Sequence, residues 1–88
     1  MLFNKFLLLL LLFPVLLFSQ NIEFKKKNFE NSEGLKKALK DIRTGDGFFF
    51  KNNEIMYKKA LQAYLKANEF NPNNAKLNFK IGVCYLNS

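Results

Sequence analysis

The sequence predicts an all-α fold, and three observations carry that prediction. Apolar residues recur at a helical period in three windows within residues 32–88. Asparagine-rich breaks, Asn52-Asn53 and Asn71-Pro72-Asn73-Asn74, separate those windows. No alternating run of useful length is present to make a strand. At 88 residues the chain has room for one small domain at most. Its apolar share, 49%, is unevenly placed, because every residue from 6 to 18 except Pro14 is Phe, Leu or Val.

Residues 1–19 read as a secretory signal. Lys5 supplies the basic start, the apolar block follows, and Ser19 offers a small side chain at the expected cut. As a helix those apolar residues would reach roughly 20 Å, short of the roughly 30 Å of a bilayer's hydrocarbon layer. Cleavage after Ser19 is therefore favoured over a retained anchor, and Gln20 is too large to sit at the cut. Residues 20–32 are expected to form a basic linker with little fixed structure. Its Lys25-Lys26-Lys27 run lies beside Glu23 and Glu30, which reads as a solvated stretch and not as a nucleic-acid patch.

The inventory excludes much chemistry. His and Trp are absent and Cys84 is the lone cysteine, so neither His/Cys zinc sites nor Ser-His-Asp or Cys-His catalytic groups can be assembled. No glycine-rich phosphate loop occurs. We expect no enzymatic activity, no cofactor and no metal. No internal disulfide can form, and Cys84 reads as a small buried hydrophobe on the face of a helix.

The first helical window carries Leu35, Ala38, Leu39, Ile42 and Phe49 on one stripe, with Ser32 as its expected cap. Gly45 and Gly47 would each cost it about 1 kcal/mol relative to Ala, which marks either a close contact or a break. Of Phe48, Phe49 and Phe50, two rings are expected to pack inward. The second window, from about Ile55 to Phe70, carries Tyr57, Ala60, Leu61, Tyr64 and Ala67, and its alanines allow close helix approach. Pro72 stops it, because a residue before proline avoids the helical conformation. Asn74 can cap the third window, whose apolar face is Leu77, Ile81, Cys84 and Tyr85.

The run Ala60, Tyr64, Ala67 and Pro72 resembles the second helix of a tetratricopeptide repeat, a unit of roughly 34 residues. On that register Ile81, Gly82 and Tyr85 occupy the Leu-Gly…Tyr places of a following repeat, with Asn78 where the family often has Trp. The first helix fits if its turn is about three residues longer. Gly45 and Phe48 then match, while Thr44 and Asp41 depart from the pattern. The resemblance implies an αα-hairpin over residues 32–70 and the first helix of a second, truncated repeat, so that residues 33–88 make about one and a half repeats. It implies tight crossings at Ala60 and Gly82, where added bulk should disrupt packing, and gap-filling by Tyr64 and Tyr85. It also implies an inner groove lined by Lys76, Phe79, Val83, Leu86 and Asn87, with Leu39, Ile42 and Asp46 from the first helix.

An array of such repeats buries a continuous core only when about three units stack. The expectation is therefore that the chain begins a longer protein, with Leu77, Ile81 and Tyr85 left partly uncovered or covered by self-association. The start is similar to that of Gram-negative envelope proteins in which these repeats precede a β-propeller-like region and an outer-membrane-protein-A-like, peptidoglycan-binding domain. Some of those proteins belong to secretion or gliding machinery. Two functions from different classes follow. One is a periplasmic or outer-membrane-facing scaffold for a protein or peptide partner, meeting the membrane only during export. The other is a small secreted cationic peptide, +7 at pH 7, that lies on anionic membranes through amphipathic helices.

Overall fold

The structure, a computed structural model, describes residues 21–88. The expected signal and its cut after Ser19 lie outside them. Three helices follow in order: α1 (Ser32–Phe49), α2 (Glu54–Phe70) and α3 (Ala75–Leu86). Among the described residues there is no strand, and no helix is long and apolar enough to cross a membrane. The all-α expectation holds.

Asparagine starts all three helices. Asn31 Oδ1 accepts from Gly34 N–H at 2.9 Å, Asn53 Oδ1 from Met56 N–H at 3.0 Å, and Asn74 Oδ1 from Leu77 N–H at 2.9 Å. Each bond satisfies one of the amide donors that a helix leaves free in its first turn. Ser32, the expected cap of α1, is instead its first helical residue, because the longer Asn31 side chain already reaches the exposed amide. α1 runs unbroken through Gly45 and Gly47. After it, Asn52 takes φ 56°, a left-handed conformation that asparagine tolerates better than most residues, and this lets the chain reverse into α2. At the other end Asn71 is extended, as a residue before proline should be, and α2 stops at Phe70.

α2 is the middle layer, and both α1 and α3 pack against it. Its buried face is Tyr57, Ala60, Ala63, Tyr64 and Ala67. Ala60, Tyr64 and Ala67 are fully buried. The small alanines let the flanking helices approach, while Tyr64 fills the space between them. The rings of Tyr57 and Tyr64 meet Phe49 edge-on, with centroids 5.5 and 5.9 Å away. Phe48 and Phe49 pack inward and Phe50 stays exposed, as expected of the aromatic run.

Three expectations need correction. Leu77 and Ile81 are not left uncovered: both are buried against α2 together with Cys84, because one helix face is enough to cover side chains of that size. Tyr85 fills no gap between helices and is exposed. Gly82 is not at a tight crossing, since a Cβ built there meets nothing within 4 Å. The close contact is at Gly45, where a Cβ would stand 2.5 Å from Cδ1 of the buried Tyr64 ring. Gly45→Ala should therefore lower stability by about 1–3 kcal/mol from overpacking. Gly82→Ala should raise it by about 0.5–1 kcal/mol, since an exposed helix gains from losing a glycine. Urea unfolding midpoints of the two variants check the pair. A stabilised Gly45→Ala variant would contradict the packing of α1 on α2.

Residues 21–31 are also not a loose linker. The Ile22 N–H donates to the Asn73 carbonyl at 2.7 Å, and Phe24 packs against the core. The Phe29 ring lies 4.8 Å from Phe70, centroid to centroid. Three apolar side chains among charges looked too sparse to dock, yet the segment finds ready-made partners in the α2–α3 turn.

Candidate partner groove

α1 and α3 lean on the same helix, and the space between them is a groove of about 420 Å³. From α1 it takes Leu39, Ile42 and Asp46, and from α3 Lys76, Leu77 and Lys80. Phe24 of the docked amino-terminal segment closes one side. The floor is aliphatic and aromatic, and the rim is charged. A second hollow of about 410 Å³ adjoins it, sharing Phe24 and Leu39 and edged by Lys25, Lys26 and Lys36. The larger hollow between α1 and α2, about 550 Å³, has Ala38 and Phe70 as its apolar lining. Its Lys37 and Lys66 are matched by Asp41 and Glu69. It therefore offers a ligand less than the α1–α3 groove does.

One polar network fixes the geometry of the groove. Lys80 Nζ lies 2.8 Å from Asp46 Oδ1, and the Tyr64 hydroxyl donates to the same oxygen at 2.5 Å. One side chain from each helix thus meets at a single carboxylate. Lys80 is nearly buried, and its ammonium also stands 5.8 Å from the ring centroids of Phe50 and Tyr64, within the range of cation–π attraction. Burial, followed by the Asp46 hydrogen bond and charge, pushes the Tyr64 hydroxyl well above the usual tyrosine range. Burial likewise raises the Cys84 thiol, which leaves it a poor nucleophile.

The sequence-predicted residues divide cleanly. Leu39, Ile42, Asp46 and Lys76 line the groove. Phe79 and Leu86 do not, being 70% and 87% exposed on another side of α3. Val83 packs against the core, and Asn87 caps the end of α3 with its amide donating to the Val83 carbonyl at 2.8 Å. Of the residues assigned to repeat packing, Gly45, Ala60, Tyr64, Ala67 and Ile81 are buried and Phe48 is half-buried. Pro72 is exposed in the turn, with Gly82 and Tyr85 exposed on α3.

Sequence reasoning missed Lys80, Asn71 and Phe24. Lys80 carried a readable signal: it sits three residues after Leu77 and four before Cys84, on the apolar stripe of α3. A lysine there needs a partner, and only the fold supplies Asp46. Asn71 is 2% exposed, yet it donates to the Ile22 carbonyl at 2.8 Å and accepts from Asn73 N–H at 3.2 Å. No family model, no curated protein and no solved structure matches this chain.

Proposed function

We propose that the chain is a non-catalytic interaction module, built as one tetratricopeptide-like hairpin and the opening helix of a second. It docks a protein or peptide partner in the groove between α1 and α3. The observation that carries this reading is the groove itself: an apolar floor with a charged rim, held open by the Asp46–Lys80–Tyr64 network. Such a surface suits a segment that places apolar side chains inward and polar ones at the edge. Gly45 beneath the Tyr64 ring and the buried Ala60 and Ala67 support the repeat-like packing. The apolar start of the chain supports export, and so a partner in the periplasm or at the periplasmic face of the outer membrane. We further propose that the module opens a longer envelope protein, whose next helix or a second copy would cover the exposed Phe79, Tyr85 and Leu86.

Photo-crosslinking tests the reading. A photoreactive phenylalanine analogue at Leu39 should capture a discrete envelope protein, while the same analogue at Lys58, on the exposed face of α2, should capture none. Equal capture from both positions would remove the groove reading. Salt-sensitive co-sedimentation with anionic vesicles, without crosslinks from Leu39, would replace it with a membrane-surface function.

A further inference from the structure

One wall of the groove is a separate piece of this chain, with Asn21, Glu23 and Phe24 lining it. We propose that residues 21–24 are a displaceable self-ligand, and that the partner is a peptide segment of the same chemistry: a side-chain amide or carboxylate three residues ahead of an aromatic ring. The proposal rests on the docking function put forward above and names the ligand class for that site.

The way the segment is held separates a general grip from a specific one. Asn71 Nδ2 and Asn74 Nδ2 donate to the Ile22 carbonyl at 2.8 and 3.0 Å, and the Ile22 N–H donates to the Asn73 carbonyl at 2.7 Å. These bonds grip main chain, so any residue other than proline fits at that point. The bond from Asn73 N–H to Asn71 Oδ1 does not involve the segment, so it keeps the Asn71 amide oriented for a ligand when the segment lifts away. Specificity comes from the flanks. Asn21 Oδ1 accepts from the Ala75 N–H at 2.8 Å, at the start of α3, where a carboxylate would serve as well or better. Three residues on, Phe24 enters the groove beside Leu39, Ile42 and Leu77.

The segment is also placed to leave. Beyond Phe24 a short 3₁₀ turn, Lys26–Asn28, buries none of its residues. The chain is then anchored again by Phe29 on Phe70. Residues 21–24 can therefore lift away while Phe29 keeps the rest in place. Their release breaks the four hydrogen bonds to the α2–α3 turn and the start of α3, the Asn28 bond to the Glu23 carbonyl and the packing of the Phe24 ring, less than unfolding the helices requires. A tethered segment competes at an effective concentration of about millimolar, so an incoming peptide must displace it.

The test titrates a synthetic peptide of residues 20–26 into the intact ¹⁵N-labelled chain and into the double variant Ile22→Pro, Phe24→Ala, following the side-chain amides of Asn71 and Asn74. The variant lacks the Ile22 donor and the aromatic anchor. Its dissociation constant for the peptide should be at least about tenfold lower than that of the intact chain. A peptide with alanine at its aromatic position should shift neither amide. Unmoved amides in both proteins would overturn the proposal. So would loss of the variant's helical circular-dichroism spectrum, because the segment would then be part of the fold and not its occupant. Crosslinks from Leu39 that persist when the peptide fails would sink the self-ligand and leave the docking function standing. Peptide binding without crosslinks would do the reverse.

Discussion

Tyr64→Ala should be the most destabilising single substitution in the domain, at about 3–5 kcal/mol. Tyr64 is fully buried at the meeting point of the three helices, against Gly45 and beside Phe49. Truncating a buried aromatic costs roughly 3–5 kcal/mol, and a domain of this size is stable by roughly 5–10 kcal/mol in total. The expected readout is a fall in the thermal midpoint of more than about 12 °C, at roughly 4–8 °C per kcal/mol for a domain of this size. Tyr64→Phe isolates the hydroxyl and should cost about 1.5–3 kcal/mol, the value of a hydrogen bond to a charged group. A sharp transition for Tyr64→Ala at the parent's temperature would show that the core lies elsewhere.

The same hydroxyl gives a dependence on alkaline pH whose sign is fixed. Its folded-state pKa lies above the unfolded value of about 10, so the folded chain keeps a proton that the unfolded chain loses. The stabilisation is fully present below about pH 10 and falls as pH rises past it, by up to about 1.4 kcal/mol per pH unit. The informative quantity is the difference between parent and Tyr64→Phe, which isolates this one hydroxyl. That difference should shrink as pH climbs from 9 to 11. A constant difference would mean that the hydroxyl is hydrated in the folded state.

Asp46→Ala should be the second most damaging change, at about 2–3 kcal/mol, because it strands the nearly buried Lys80 ammonium and the Tyr64 hydroxyl together. Lys80→Met should cost less than about 1 kcal/mol, since a methionine fills the same space and Asp46 keeps both its Tyr64 bond and its access to water. The asymmetry predicts non-additivity: the double variant Asp46→Ala, Lys80→Met should be more stable than Asp46→Ala alone. Denaturant midpoints for the four proteins of this cycle provide the check. Strict additivity would mean that Lys80 reaches solvent freely and that the network does not brace the groove.

Helix positions were legible because they depend on neighbours in the chain. The 3.6-residue spacing of Leu35, Ala38 and Ile42, the alanine strip of α2 and the Asn74 cap of α3 all act within a few residues. Ser32 was read for Asn31 at the first cap because both residue types can cap and only backbone geometry chooses between them. Half of the groove was also anticipated, since the tetratricopeptide resemblance implied Leu39, Ile42, Asp46 and Lys76 as lining residues. The outer residues Phe79 and Leu86 were misplaced because the register alone does not say how far α3 rotates on α2.

By itself, then, the sequence determined three helices, their ends to within about a residue and most of the stripe that each buries, because those are set by short-range periodicity and hydrogen bonding. Only the tertiary structure decided that Lys80 would share a carboxylate with Tyr64, that Gly45 and not Gly82 would mark the close crossing, and that Asn21, Glu23 and Phe24 would wall the groove. Each of these joins residues far apart in the chain. Their pairing depends on the angle and depth at which helices meet, and no local pattern of side chains encodes that.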